Sequence, residues 1–246
     1  MCTVTIIPLP GGGLRLMTNR DESRARPAAA PPALRESPAG VQGLWPLDPV
    51  GGGTWVASNE HGVVLALLNG NPRPMPAMPT PERLRSRGGL IPSLAYARRA
   101  ADALAVLRAG ELDEFAPFRL VAADGSGVLD AAWDRRRLQI TRRILEPVCF
   151  VSSGLGDERV SQRLSLFSMW MEERGVSRAS QTSFHDHRWP DKPEVSVMMS
   201  RADARTVSVT TVEVTRDGSS AMIYRDDAGQ TEARLPRVEA LAIRRA

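Results

Sequence analysis

The order of elements written into this chain predicts an α+β fold built on antiparallel strands. Short β-branched or alternating runs are joined by tight turns, and only two long segments carry a helical period. No strand–helix–strand alternation with a glycine-rich phosphate loop is present, which argues against a doubly wound dinucleotide fold.

The first strand is expected over residues 3–7, where Thr3-Val4-Thr5-Ile6-Ile7 is β-branched throughout. Pro8-Leu9-Pro10-Gly11-Gly12-Gly13 must turn the chain, and residues 14–18 read as the return strand. Pairing Ile7 with Leu14 would set Cys2 opposite Asn19, with Asp21 on the face of Asn19 and with Arg20 and Glu22 on the other. A one-residue slip would exchange those faces. Residues 24–50 are rich in Pro, Ala and Gly and read as an irregular loop. A hairpin follows over 54–58 and 63–68, joined by Asn59-Glu60-His61-Gly62, and residues 71–81, with five prolines, form a loop.

Leu90, Leu94, Ala97, Ala101, Leu104 and Leu107 recur at helical spacing, so one helix is expected there, ending near Gly110. Strands over 118–123 and 127–133 flank the turn Asp124-Gly125-Ser126, and another strand covers 148–152. Residues 157–174 form the second helix, with Val160, Leu164, Phe167 and Met171 on one face and Gly175 as its stop. Residues 178–194 are polar, hold two prolines and contain His185, His187 and Trp189. A last hairpin spans 206–214 and 220–224 around Asp217-Gly218. No internal repeat is evident, and a single domain over residues 1–246 is expected.

Composition narrows the function classes. The net charge of +4 comes from arginines spread along the chain, with Lys192 the only lysine. Clusters such as Arg135-Arg136-Arg137 and Arg244-Arg245 read as solvated faces, and no nucleic-acid-binding motif accompanies them. No run approaches the roughly 20 apolar residues of a membrane span, and no signal peptide is readable. Two cysteines, Cys2 and Cys149, exclude a disulfide framework, and a free N-terminal thiol suits a reducing compartment, so the cytoplasm is expected.

The strongest chemical signal is Met1-Cys2. A side chain as small as cysteine lets methionine aminopeptidase clip Met1, leaving a thiol and a free α-amine on adjacent carbons. That amine, with a reference pKa of about 7.7–8.0, can accept the thiol's proton near neutrality. A thiol with its own base, or with a neighbouring ammonium lowering its pKa below about 8.5, is a nucleophile that needs no histidine.

Met1-Cys2-Thr3 together with Asn19-Arg20-Asp21-Glu22 resembles the NRDE family, also called the transport and Golgi organisation protein 2 family. Gly52-Gly53-Thr54-Trp55, Asn59-Glu60-His61-Gly62, Leu68-Asn69 and Ser86-Arg87-Gly88 match further blocks of that family in order, over most of the chain. The resemblance implies the N-terminal-nucleophile hydrolase fold, a four-layer αββα sandwich of two antiparallel sheets. More distantly, the chain is similar to penicillin V acylases and bile-salt hydrolases, which begin with Cys after Met removal.

The same resemblance makes Cys2, Arg20, Asp21 and Asn69 the candidate catalytic residues, and Asn19, Trp55 and Ser153 the candidate substrate-binding residues. Arg20 and Asp21 would orient the amine and thiol, although a polar strand end with surface ion pairs explains them too. Asn69 would donate to an oxyanion, as the strand-end Asn of the acylases does; a plain turn residue is the other reading. Ser153 departs from the family's Ser-Asn, because the chain has Ser152-Ser153, and its shorter, rotating hydroxyl would be a less organised donor. Thr206-Val207-Ser208-Val209-Thr210 resembles the family's Gly-Thr-Arg-Ser-Ser-Thr block, with Arg205 where it often has Gly and Val207 where it often has Arg; an alternating strand explains these residues nearly as well. His185-Asp186-His187 has a chelate spacing but no visible third ligand, and Cys149 reads as a buried structural thiol.

These residues lead to a cysteine-dependent amidohydrolase acting on a non-peptide C–N bond of a small acyl-amide, without metal or cofactor. The alternative is a non-catalytic protein that binds or traffics a lipid, acyl-CoA or haem ligand on the same fold. No nucleic-acid partner is expected.

Overall fold

The computed structural model describes residues 2–37, 40–109 and 112–235. The sequence readings on Met1 and its removal, on Gly110 as a helix stop and on Arg244-Arg245 lie outside the described residues.

Two antiparallel sheets stack face to face. The six-stranded sheet has the order β10-β1-β2-β11-β12-β13, from Val148–Ser152, Cys2–Pro8, Gly13–Ser23, Ala204–Thr215, Ser220–Asp226 and Gly229–Leu235. The seven-stranded sheet runs β3 to β9 in sequence order: Ala30–Glu36, Gln42–Leu47, Val56–Asn59, Val64–Asn69, Phe118–Asp124, Gly127–Trp133 and Leu138–Arg143. Alternating apolar residues of both sheets, among them Val4, Ile6, Leu16, Val64, Ala66, Val121 and Val212, fill the space between them. Helices α1 (Leu90–Leu94) and α2 (Ala100–Ala109) cover the outer face of the seven-stranded sheet through Leu90, Ile91, Leu104 and Leu120. Helices α3 (Gln162–Arg174) and α4 (Arg178–His185) cover the other outer face through Ile7, Phe167, Met171 and Phe184. The result is the expected αββα sandwich. Among the described residues, no helix is long and apolar enough to cross a membrane.

Several local expectations need correction. Residues 24–50 are not wholly irregular, since they hold β3 and β4. Pro31 and Pro32 misled because β3 is an edge strand, where a missing N–H is tolerated. The helix expected over 90–107 is broken into α1 and α2. The break is fixed by Asp124 in the β7–β8 turn, whose carboxylate accepts from the Ala100 N–H at 2.8 Å and caps α2. Residues 178–185, read only as polar, form α4, with the Ser177 hydroxyl accepting from the Ser180 N–H.

Val160, Phe167 and Met171 of the expected apolar face before and along α3 are buried, and Leu164 departs from it. Leu164 is 39% exposed, while Arg163 is fully buried and Leu166 replaces Leu164 against the sheet.

The first hairpin is shifted by one residue from the expected register. Ile7 faces Arg15, and Cys2 faces Arg20 instead of Asn19. The expected pairing would have set Arg15 beside Ile6 in the apolar space between the sheets. The observed one puts Ile6 beside Leu16 there and turns Arg15 to the helix layer, where Glu213, Gln181 and Thr182 receive it.

Candidate active site

Cys2 begins β1 with β2 on one side and β10 on the other, opposite Arg20 and Ser152 respectively. Its sulfur borders a cavity of about 530 Å³ that opens at the strand ends between the sheets. Arg20, Asp21 and Glu22 from β2, Trp55 just before β5 and Asn69 at the end of β6 share that wall. The segments 48–54 and 84–88 close it. Thus Cys2, Arg20, Asp21, Trp55 and Asn69, distant in sequence, meet at one cavity.

Arg20 sits over Trp55, its guanidinium carbon 4.4 Å from the ring centroid, and donates to Asp48 at 2.7 Å. Arg26 donates to the same Asp48 oxygen at 2.9 Å, and Glu22 lies within 3.7 Å of both guanidinium groups. Burial alone would raise the Asp48 pKa, but hydrogen bonds from Arg26 and from the Gly51 and Val50 N–H groups outweigh it and hold the carboxyl below its usual range. Asp48 therefore fixes both arginines as an anion.

Asp21 borders the cavity, but its carboxylate is buried toward α3. Thr206 Oγ1 donates to its Oδ1 at 2.5 Å, and Arg163 Nη1 stands 3.6 Å from its Oδ2. A bulge between Thr206 and Ser208 lets β11 meet Asp21 and Arg20 on successive residues. Burial still pushes the Asp21 carboxyl up, with Arg163 opposing. Arg163 is held by Thr3 Oγ1 at 2.8 Å and by the carbonyls of Val195 and Ser196 at 3.0 and 2.6 Å.

Burial also pushes the Cys2 thiol up from its ordinary value, opposed in part by the backbone amide of Asp21 and by Arg20. A thiol raised by burial calls for a base to take its proton. Burial also pushes the Cys149 thiol up; it is partly buried and packs against the α3–α4 layer.

Arg87 closes the cavity from the segment before α1. Pro117 O accepts from its Nη1 at 2.8 Å and from the Gly70 N–H at 2.9 Å, which ties Arg87 to the strand end bearing Asn69. The approach is close because Gly53 and Gly88 pack backbone to backbone, and a Cβ on Gly53 would lie 2.3 Å from Gly88.

Two expected site residues are not on the cavity wall. Asn19 points to the helix layer. Its amide donates to the carbonyls of His185 and Val197, both at 2.9 Å, and its carbonyl oxygen meets His185 Nδ1 at 2.5 Å. The one-residue register shift is the reason, since Asn19 and Cys2 project from opposite faces. Ser153 is buried one residue beyond Cys2's partner Ser152. Its N–H donates to Asp157 and its Oγ accepts from Leu155, so it shapes the turn into α3.

His185 of the H-x-H spacing is buried, with Nε2 2.7 Å from Thr5 Oγ1, and burial holds it neutral with a pKa of about 3. His187 makes edge-to-face contacts with Trp170 and Trp189. Among the described residues, no group of three His, Cys, Asp or Glu converges as a metal site would.

Sequence reasoning missed Arg26, Asp48, Arg85 and Arg163. The first two lie in a segment read as loop, Arg85 sits beside a motif read only as a family signature, and Arg163 was hidden inside a helix whose apolar period pointed to Leu164. An arginine one residue off an apolar stripe was the available signal.

Two stacked antiparallel sheets between helical layers, with Cys2 at the strand ends, define an N-terminal-nucleophile hydrolase-like fold. Solved structures that share this fold include the following three. The Caenorhabditis elegans N-acylethanolamine-hydrolyzing acid amidase ortholog aligns at a TM-score of 0.60 and 11% identity, over 85% of this chain and 92% of that one. Conjugated bile acid hydrolase from Clostridium perfringens, as a cysteine-to-alanine mutant, aligns at 0.58 and 9%, over 96% and 92%. Penicillin V acylase from Agrobacterium tumefaciens aligns at 0.54 and 12%, over 96% and 86%. The profile of the Transport and Golgi organisation 2 family matches residues 1–221, and the chain belongs to that family. A search of curated protein sequences finds no match.

Proposed function

We propose that this protein is a cysteine-dependent amidohydrolase that cleaves a non-peptide C–N bond of a small acyl-amide. The observation that carries the reading is the convergence of Cys2, Arg20, Asp21 and Asn69 on one cavity. The fold neighbours add support: they are named as an acylase, an N-acylethanolamine-hydrolyzing amidase and a conjugated bile acid hydrolase.

Once Met1 is removed, the Cys2 α-amine takes the thiol proton and the sulfur attacks the amide carbonyl. The buried, raised thiol fits that order of events, because the proton leaves only as the base accepts it. Asn69 donates to the oxyanion of the tetrahedral intermediate, and Asp21 orients the ammonium. As the C–N bond breaks, the ammonium returns its proton to the leaving amine and a thioester remains. Water, deprotonated by the same amine, then hydrolyses the thioester and frees the acid.

The alternative, a carrier of a lipid, acyl-CoA or haem ligand, draws on a different observation. A second cavity of about 370 Å³, walled by Leu90, Leu94, Leu107, Leu112 and Phe115, shares Arg85 and Ser86 with the first.

The test combines intact mass with turnover. The expected result is loss of Met1 and amine release from a panel of acyl-amides that disappears in Cys2→Ala. Undiminished turnover in protein that keeps Met1, or in Cys2→Ala, would sink the mechanism. Ligand binding without turnover, unchanged in Cys2→Ala, would favour the carrier.

A further inference from the structure

The charges around the cavity do not cancel, and the excess sits on one residue. Arg20 and Arg26 are matched by Asp48 and Glu22. Asp21 is matched by Arg163 from the helix layer, and Arg85 by Glu114 at 3.5 Å. Arg87 meets no carboxylate among the described residues. Its one acceptor among the described residues is the Pro117 carbonyl, a neutral group engaged by a single nitrogen of the guanidinium. It is half-buried, and among the described residues the charge that acts on it is the Cys2 sulfur in thiolate form.

A half-buried guanidinium without a counter-ion is costly to keep unless an anion arrives to meet it. The planar fork of arginine suits a carboxylate, sulfonate or phosphate, and the nitrogens not engaged by Pro117 remain for it. We infer that Arg87 is a specificity-determining residue that receives an anionic group of the ligand, so the preferred substrates are acyl compounds that also carry a negative charge. This rests on the proposed function for the word substrate, but anion recognition by Arg87 stands without turnover.

The compensated arginines make the assignment specific. Arg20 and Arg26 already share Asp48, and a second anion near them would face Glu22 and Asp48 at short range. Arg87 is joined to the Asn69 strand end through Pro117, shares the cavity wall with Cys2 and interacts electrostatically with its sulfur, so an anion bound there would lie in the same cavity as that sulfur.

The experiment uses two thiol reagents of nearly equal size, iodoacetate and iodoacetamide, on the native protein. The rate at which each alkylates Cys2 is followed by mass spectrometry, and their ratio is divided by that for N-acetylcysteine. This quotient cancels thiol pKa and accessibility, which act on both reagents alike. With Arg87 as an anion receptor it is expected to favour iodoacetate by about tenfold or more, as a close, partly desolvated charge pair gives. Inorganic phosphate should slow iodoacetate more than iodoacetamide, beyond the effect of sodium chloride at equal ionic strength. Arg87→Gln should return the quotient to near one, Arg87→Lys should keep most of it, and Arg85→Gln should leave it in place.

A quotient near one in the native protein overturns the inference. So does a preference that survives Arg87→Gln or falls with Arg85→Gln instead, and so does a Cys2 that neither reagent reaches. If Arg87→Gln fails to fold, the native quotient, the phosphate competition and Arg87→Lys still decide. An intact quotient in a protein without amidase activity would leave anion recognition standing and remove only the hydrolase reading.

Discussion

Replacing Arg163 by Met tests the deepest polar contact beside Cys2. Arg163 is fully buried and makes hydrogen bonds to Thr3 and to the carbonyls of Val195 and Ser196, besides its ion pair with Asp21. Arg163→Met keeps much of the volume but strands two carbonyls, a hydroxyl and a carboxylate away from water. Breaking a buried charge pair on one side costs about 3–5 kcal/mol. At roughly 2–4 °C per kcal/mol for a chain of this size, the expected fall in Tm at pH 7 is about 6–20 °C.

The loss should also depend on pH, with a definite sign. Burial raises the folded-state pKa of Asp21 above its unfolded value near 3.8, so the folded state holds that proton more tightly. Its contribution to stability is then full below the unfolded pKa and declines as pH rises through the folded one. Removing Arg163 takes away the main group opposing that rise, so the window widens in the variant. The Tm difference between wild type and Arg163→Met should be smaller at pH 5 than at pH 7, measured by calorimetry. Adding Asp21→Asn should recover part of the loss at pH 7. A variant melting within about 2 °C of wild type, or a gap equal at both pH values, would refute this account of the pair.

Three further outcomes are expected. Asn69→Ala should lower kcat by about 10²–10³-fold with little change in KM, as loss of an oxyanion donor does, and an unchanged kcat would remove Asn69 from the mechanism. In protein that retains Met1, the alkylation rate of Cys2 should keep rising with pH beyond the free-thiol value of about 8.5, because burial raises the thiol; a plateau below pH 8 would contradict the burial argument. Gly53→Ala should displace the segment bearing Arg87, since its Cβ would meet Gly88 backbone at 2.3 Å, and should lower both Tm and the iodoacetate preference; unchanged values would show that the two segments yield freely.

The sequence by itself determined most of the elements and marked residues that line the candidate site. β-branched runs, short turns and separate helical periods were enough for an antiparallel α+β fold, because each is a local signal of backbone preference. The motifs around Cys2, Arg20, Asp21, Trp55 and Asn69 marked residues that meet at one cavity. What tertiary structure decided was register and partnership. Whether Arg20 or Asn19 faces Cys2 turned on one residue of slip, settled by keeping Arg15 out of the space between the sheets. The two edge prolines of β3, the break before α2 and the burial of Arg163 depended on a sheet edge, on Asp124 and on the carbonyls of Val195 and Ser196. The lone charge of Arg87 is of the same kind, since no local pattern tells an arginine whether a carboxylate from a distant strand will reach it. Pairing energies act between residues brought together by the fold, and a periodicity read along the chain carries no record of them.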